Sequence, residues 1–212
     1  MQKKNKKKIL IFGGNGFIGS AVANKLPSQG YSVSVADVHE KPNNKNIEYF
    51  NIDITNAKSF SKELDKDFDI IFNFAAIADI GESSKFFDKT ISTNIQGNIN
   101  ILNFSKEINI ERFIYASSMY VFGDKGGVYS ASKRVSEILV QQYAERFGFS
   151  FIFLRYGSLY GPGAQDWNSI KRYVNSINRE KQVKHWGTGE EVREYIHIDD
   201  AAKLTLKAFE KK

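Results

Sequence analysis

The chain has 212 residues, of which 42% are hydrophobic and 25% charged. This composition is typical of a globular protein with a hydrophobic core, and it excludes a disordered or fibrous chain. The net charge of +6 comes from lysines near the two ends, namely Lys3, Lys4, Lys6, Lys7, Lys8, Lys211 and Lys212. Subtracting these seven charges leaves −1 for the rest of the chain. The pattern therefore argues against nucleic acid as a partner and indicates solubilising or disordered ends.

Residue usage also limits the possible chemistry. The chain has no cysteine, which excludes disulfides, thiolate metal sites and a cysteine nucleophile. Its three histidines, His39, His185 and His197, lie far apart and lack metal-ligand spacing, so we expect no metal site. The apolar run 9–12 is too short for a signal peptide, and no stretch approaches the roughly 18 apolar residues of a membrane span. We expect a cytoplasmic protein without membrane insertion.

Short apolar runs alternate with longer segments of helical spacing. The runs that predict buried strands are residues 9–12, 31–36, 47–52, 69–75, 112–116 and 149–154. Such alternation predicts βαβ units around a parallel sheet that is covered on both faces, an α/β fold of the Rossmann-like, doubly wound type. From residue 157 the pattern becomes Gly-rich and polar, and it ends in a predicted helix over 199–210.

A glycine-rich loop follows the first predicted strand and precedes a helical pattern. The loop contains Gly13, Gly16, Phe17, Ile18 and Gly19. The early glycines permit a tight turn and let backbone N–H groups approach a pyrophosphate, while the last lets the helix pack closely on the strand. An ordinary tight strand-to-helix turn is the alternative, but the position between strand and helix favours a dinucleotide cofactor.

Asp37 directly follows the second predicted strand. A carboxylate at this place accepts hydrogen bonds from the adenosine ribose hydroxyls and repels a 2′-phosphate. No arginine lies between Gly19 and Arg112 to accommodate such a phosphate. The sequence therefore favours NAD over NADP, with a simple turn residue as the alternative role for Asp37.

The glycine loop is followed by a series of segments that resemble, in the same order, those of the extended short-chain dehydrogenase/reductases, the sugar-nucleotide epimerase/dehydratase family. These segments are residues 51–54, 73–76, 94–97, 116–123, 129–133, 154–163 and 193–200. The resemblance implies NAD as cofactor, with contacts from Asp53, Ile54, Phe74, Ala75, Ala76, Asn94, Tyr129, Lys133 and Tyr156 in addition to the glycine loop and Asp37.

The same resemblance implies three catalytic residues, Ser118, Tyr129 and Lys133. Tyr129 would accept a sugar hydroxyl proton while hydride leaves that carbon for NAD, and Ser118 would hold the reacting oxygen. Lys133 would lower the pKa of Tyr129 and anchor the nicotinamide ribose. Spacing of four residues places the tyrosine and the lysine on one face of a helix, which is predicted over 132–147.

The sequence indicates the type of reaction less directly than it indicates the cofactor. Met119 and Tyr120 occupy the positions after the catalytic serine where dehydratases and decarboxylases of the family commonly carry acidic residues. Epimerisation needs only oxidation, rotation of the bound keto-sugar and return of hydride, so it is the favoured reaction. A sugar-nucleotide reductase, dehydrogenase or dehydratase remains an alternative, as does a non-catalytic NAD-binding protein.

The resemblance also implies a nucleotide-sugar substrate, contacted by Ser118, Ser158 and Arg193. Substrate recognition departs from the family, because only residues 124–128 separate the serine segment from Tyr129, where relatives usually have a longer loop. Asp199 and Asp200 are better explained as the N-cap and first turn of the last helix than as a catalytic pair.

The order of motifs divides the chain at residue 156. Residues 1–156 are predicted to form the NAD-binding Rossmann domain, and residues 157–212 a truncated or minimal substrate-binding portion. Helices over 94–107 and 129–147 resemble the pair that forms a dimer interface in the family. We therefore expect a homodimer.

Overall fold

The computed structural model describes residues 6–39, 44–64, 67–183 and 187–211. The strands are β1 (Lys8–Phe12), β2 (Ser32–Asp37), β3 (Glu48–Asn51), β4 (Ile70–Asn73), β5 (Arg112–Ser118), β6 (Ser150–Tyr156), β7 (Ser158–Tyr160) and β8 (Tyr195–His197). The α-helices are α1 (Phe17–Ala23), α2 (Ala57–Glu63), α3 (Ile80–Lys85), α4 (Phe87–Ile91), α5 (Gly97–Glu107), α6 (Gly127–Phe147), α7 (Ser169–Glu180) and α8 (Ile198–Glu210). All six predicted strands are confirmed, with ends shifted by a few residues.

The first six strands form one parallel sheet in the order β3-β2-β1-β4-β5-β6. β1 is central, since Ile9 pairs with Val33 on one side and with Ile70 on the other. The chain reverses its direction of winding between β1 and β4, and the loops after these two strands diverge. In open α/β sheets this switch point is where a crevice forms at the carboxyl ends of the strands.

Both faces of the sheet are buried, as the continuous apolar runs predict. One face packs its side chains against α2, α5 and α6, in a core that includes Leu10, Phe12, Ile71, Ile101, Phe113 and Val140. The other packs against α1 and α8, in a core that includes Ile9, Ile11, Val22, Phe72, Leu206 and Phe209. Alternate residues of each strand thus enter different cores, which explains the lack of an apolar/polar alternation.

The C-terminal helix α8 packs on the main sheet, although it lies within residues 157–212, the predicted substrate-binding portion. Its Phe209 ring lies 5.3 Å from the ring of Phe72 and 5.4 Å from that of Tyr31. The apolar face of α8 completes the core over the sheet, so sequence order does not separate it from the Rossmann domain. Its N-cap is His197, whose Nδ1 accepts the Asp199 N–H at 3.3 Å, instead of either aspartate.

Two strands and a helix lie between residues 157 and 197, where the sequence pattern of apolar residues is weak. β7 and β8 pair in parallel as a separate two-stranded sheet. Helix α7 begins after Asn168, whose side chain accepts from the Lys171 N–H and donates to the Leu159 carbonyl at 2.8 Å. The asparagine cap therefore ties α7 to β7.

The basic N-terminal segment is partly structured, contrary to the expectation of a solubilising or disordered end. Lys8 begins β1 and pairs with Asp67, while Lys7 pairs with Glu111. Lys3, Lys4 and Lys212 lie outside the described residues. Within the described ranges, no helix combines the length and hydrophobicity that crossing a bilayer requires.

Arg112 links the start of β5 to the end of α8. Its Nη1 donates to the Phe209 carbonyl at 2.8 Å and to the Lys211 carbonyl at 3.1 Å. Since these carbonyls end a helix, Arg112→Met should lower the free energy of unfolding by about 1–3 kcal/mol. Urea unfolding checks this, with Lys207→Met on the exposed face of α8 as the control; equal stability of the two variants would contradict the role of Arg112.

Candidate active site

A cleft of about 2120 Å³ opens at the carboxyl ends of the central strands. Nearly all the predicted site residues line it: Gly13, Gly16, Phe17, Ile18, Gly19, Asp37, Asp53, Ile54, Phe74, Ala75, Ala76, Ser118, Tyr129, Lys133, Tyr156, Ser158 and Arg193. The fold therefore brings together residues that are separated by up to 180 positions in the chain. Asn94 is the predicted site residue that does not line the cleft.

The glycine loop forms one end of the cleft. Gly13 has φ +71°, and a Cβ there would lie 2.5 Å from the Ala75 backbone nitrogen. A Cβ on Gly19 would lie 2.2 Å from the Gly13 carbonyl oxygen. Helix α1 begins next to this loop, with Gly16 as an N-cap that provides no side-chain hydrogen bond. A close backbone cradle beside an uncapped helix N-terminus fits the pyrophosphate of a dinucleotide.

Two aspartates flank the far side of this loop. Asp37 is buried at the end of β2, where its Oδ2 accepts the Asn15 N–H at 2.9 Å and its Oδ1 the His39 N–H at 3.0 Å. The backbone thus orients the carboxylate, which keeps further acceptor capacity for the ribose hydroxyls of NAD. Asp53 is exposed, and its Oδ1 accepts from the Thr55 N–H at 2.9 Å and the Thr55 hydroxyl at 2.7 Å.

Asn94 lies behind the cleft wall, where it holds the backbone. Its Oδ1 accepts the Ile77 N–H at 2.8 Å, and its Nδ2 donates to the Ile77 carbonyl at 3.1 Å and to Ser132 Oγ at 3.0 Å. Through these hydrogen bonds Asn94 holds the segment after β4 in place, and its contact with NAD stays a prediction.

A short connection brings Ser118 and Tyr129 together. β5 ends at Ser118, a 3₁₀ turn follows, and Gly126 with φ +98° leads directly into α6. Ser130 Oγ donates to the Tyr120 carbonyl at 2.8 Å, which fastens the turn to the helix. Because α6 starts at Gly127, five residues before the predicted start, Tyr129 and Lys133 both lie inside it, and both line the cleft together with Ser118.

Lys133 is buried beneath Tyr129 with only 3% of its surface exposed. Its Nζ donates to the Ala116 carbonyl at 2.7 Å and lies 4.9 Å from the centre of the Tyr115 ring and 5.9 Å from that of Tyr129. Burial disfavours the ammonium and lowers the pKa of Lys133 to about 7, although the charge of Glu137 opposes this change.

The pKa of Tyr129 is raised, which is the opposite of the expected effect of Lys133. Burial has the largest influence, and the hydrogen bond with Ser118 lowers the pKa only in part. The physical reason is that desolvation of the phenolate outweighs its stabilisation, while the Lys133 ammonium is itself destabilised by burial.

The other end of the cleft is built by the segment after residue 157. Ser158 begins β7 and Arg193 precedes β8, so the two predicted substrate contacts reach the cleft from neighbouring strands. Trp167, Arg172 and Tyr173 also line this end and were missed by sequence reasoning. The N-cap asparagine, followed by apolar residues at helical spacing, was a signal that could have placed α7 there.

A parallel sheet in this order, with a glycine loop at its switch point and a serine, a tyrosine and a lysine in the same cleft, defines a dinucleotide-binding protein of the short-chain dehydrogenase/reductase class. The model of the NAD dependent epimerase/dehydratase family matches residues 9–212. The chain belongs to this family, whose cofactor is NAD.

Individual relatives agree with this assignment. The chain is 26% identical to a UDP-glucuronate 4-epimerase of Thermodesulfobacterium geofontis, over 93% of this chain and 70% of the relative. It is 28% identical to a UDP-N-acetyl-alpha-D-glucosaminuronate decarboxylase of Bacillus cytotoxicus, over 98% of this chain and 72% of the relative. A UDP-glucose 4-epimerase from Thermotoga maritima, solved with UDP-glucose, matches at TM-score 0.87 and 27% identity, covering 97% of this chain and 74% of that one.

The buried lysine predicts a pH-dependent stability. Between its folded pKa of about 7 and its ordinary value of 10.5, the unfolded chain binds a proton that the folded chain has released. Stability therefore rises with pH, by about 2 kcal/mol from pH 7 to pH 9. Urea unfolding at the two pH values checks this, and the rise should be absent in Lys133→Met but kept in the exposed-site control Lys203→Met. An equal rise in the Lys133 variant would contradict the assignment.

Proposed function

We propose that this protein is an NAD-dependent epimerase that acts on a nucleotide-activated sugar. The observation that carries the proposal is the placement of Ser118, Tyr129 and Lys133 in one cleft with the glycine loop and Asp37. Similarity to two 4-epimerases supports it, because both act on UDP-sugars according to their names.

Each part of the cleft has its own task in this proposal. The glycine loop and α1 bind the pyrophosphate, and Asp37 binds the adenosine ribose. NAD, when bound, supplies a reversible hydride acceptor. Tyr129 would act as its phenolate, which the positive charges of Lys133 and of the nicotinamide ring would favour over the neutral phenol of the cofactor-free protein. The phenolate would accept the proton of the sugar hydroxyl and later return it, while Ser118 orients the reacting oxygen.

The reaction assignment depends on the two residues after Ser118. Met119 and Tyr120 form the start of a 3₁₀ turn and line the cleft, and neither has a carboxylate for a second proton transfer. This favours epimerisation, which regenerates NAD within each cycle, over dehydration or decarboxylation. The decarboxylase among the relatives makes the alternative worth testing directly.

The substrate-binding end supports a nucleotide sugar. Arg193 provides a guanidinium suited to bidentate contact with a diphosphate, and it lines the cleft with Ser158 and Trp167. A nucleotide sugar consists of a base, a diphosphate and a sugar. The aromatic ring of Trp167 suits the base, Arg193 suits the diphosphate, and the proposed catalytic residues nearer the sheet suit the sugar. We include both Ser158 and Arg193 in the proposed substrate site.

The enzymatic proposal is tested by incubating the protein and NAD with UDP-, GDP-, CDP- and dTDP-sugars. We expect a product of inverted configuration at one sugar carbon without accumulation of reduced cofactor. Tyr129→Phe should lower kcat by about 100-fold or more, because the proton acceptor is lost. Tyr143→Phe is the matched control, since Tyr143 lies on the same helix and bonds Asn103 away from the cleft.

The outcomes separate the alternatives. Net reduction of NAD would favour a dehydrogenase, and a deoxy-keto product a dehydratase. Unchanged turnover in Tyr129→Phe would contradict the proposed role of Tyr129. No turnover on any sugar would contradict the proposed catalysis and favour a non-catalytic NAD-binding protein.

We further propose that the protein is a homodimer that associates through α6 and its neighbours. On this helix Ile138 is 61% exposed and Val135 39% exposed, and the exposed rings of Phe86 and Phe87 lie on adjacent α3 and α4. A cluster of large exposed apolar side chains is typical of an interaction site.

A charged residue in this face should weaken association. Ile138→Glu should shift the protein from dimer to monomer in analytical ultracentrifugation, because the carboxylate would be desolvated in the interface. Leu204→Glu is the control, since Leu204 is comparably exposed on α8, on the other side of the sheet. A monomeric protein with Ile138 intact would contradict the dimer.

A further inference from the structure

An ion pair lies directly behind the proposed catalytic lysine. Glu137 follows Lys133 by one helical turn on α6 and is buried. Its Oε1 accepts from Arg155 Nε at 2.9 Å and its Oε2 from Arg155 Nη2 at 2.7 Å. Two parallel hydrogen bonds to a planar guanidinium fix the orientation of the carboxylate.

The sheet register places the arginine at this point. Arg155 on β6 is opposite Ser117 on β5, the residue that precedes Ser118. The guanidinium carbon also lies 4.7 Å from the centre of the Phe122 ring, in the turn between Ser118 and α6. Arg155 is therefore held by the same strand end and the same turn that position the proposed catalytic residues.

Glu137 is an anion in the immediate surroundings of a buried cation. Within the described part of the chain, the titratable groups that face Lys133 are Tyr115 on β5 and Tyr129 and Glu137 on α6. Both tyrosines are buried and have raised pKa values, chiefly because of burial, so they are neutral at physiological pH. Glu137 thus provides the negative charge that faces the ammonium, with Arg155 of β6 on its other side.

Arg155 in turn keeps the carboxyl group of Glu137 ionised. Burial acts to raise the pKa of Glu137, but the hydrogen bonds and charge of Arg155, together with the charge of Lys133, lower it overall. The carboxylate therefore stays ionised in a site where an isolated one would be costly. An ion pair whose function was only to join α6 to β6 would not need to lie beside Lys133.

We propose that Glu137 is a positioning residue, whose negative charge, held in place by Arg155, favours the ammonium form of Lys133 beside Tyr129. Its role in catalysis rests on the proposed function, because it acts through Lys133. Its effect on the proton affinity of Lys133 does not, and can be measured without a substrate.

The first test uses the pH dependence of unfolding. Glu137→Gln keeps the size of the side chain but removes its charge and one of its two acceptor oxygens for Arg155, so the proton affinity of Lys133 should fall about tenfold. The rise of stability with pH should then begin about one pH unit lower than in the unaltered protein. In the Lys133→Met background, Glu137→Gln should leave stability unchanged between about pH 6 and pH 9, because the lowered pKa of Glu137 confines its own titration to acidic pH.

Two further variants keep this test decisive. Glu145→Gln removes an exposed carboxylate from the same helix and should leave the pH dependence unchanged. If Glu137→Gln does not fold, Glu137→Asp retains the charge on a shorter side chain and should shift the onset of the rise by less than one pH unit. An onset that is unshifted in the folded variant, or a shift that persists without Lys133, would overturn the proposal.

The second test applies to turnover. With a sugar substrate identified, Glu137→Gln should move the alkaline limb of the kcat–pH profile about one unit lower, with KM changed less than about twofold. A merely structural role would lower activity without moving this limb. Absence of turnover in every variant would overturn the proposed function alone, because the unfolding measurements would still report on Glu137 and Lys133.

Discussion

The close approach of the backbone at the sheet's switch point is the constraint on which the site depends. Gly13 lies against the end of β4, and Gly19 lies against Gly13, at distances that leave no room for a Cβ atom. This contact lets α1 start immediately beside β1 and keeps the wall of the cleft thin. Any larger residue would push the helix N-terminus away from the place where a pyrophosphate can meet its N–H groups.

The second half of the site depends on burying polar groups in the right combination. Lys133 is enclosed by two tyrosine rings and a carbonyl group, and the nearest negative charge is a carboxylate already bound by Arg155. Burial destabilises the Lys133 ammonium, and the negative charge of Glu137 offsets part of this effect. This arrangement fits a group that has to carry charge next to a phenol and respond when that phenol gains or loses a proton.

Much of the fold was predictable because its signals are local. Continuous apolar runs predicted the six strands of the main sheet, since a strand buried on both faces needs no polar side. The glycine spacing and Asp37 predicted the cofactor end, because the glycine loop between β1 and α1 and a carboxylate at the end of β2 are recognisable within one βαβ unit. By contrast, the three-residue strands β7 and β8 were not predicted, since strands so short carry no pattern of their own. Helix α7 had a local signal in its N-cap Asn168, but only the structure shows that this residue ties it to β7 through the Leu159 carbonyl.

The sequence by itself determined the class of fold and the dinucleotide-binding loop, because the spacing of apolar runs and glycines expresses the βαβ units directly. The proposed catalytic residues came from the ordered resemblance to the family and not from spacing alone. Only the tertiary structure decided that α8 packs on the main sheet, that Asn94 holds the backbone at Ile77, and that burial raises the pKa of Tyr129. These properties depend on burial and on partners distant in the chain. A linear pattern of residues does not specify either.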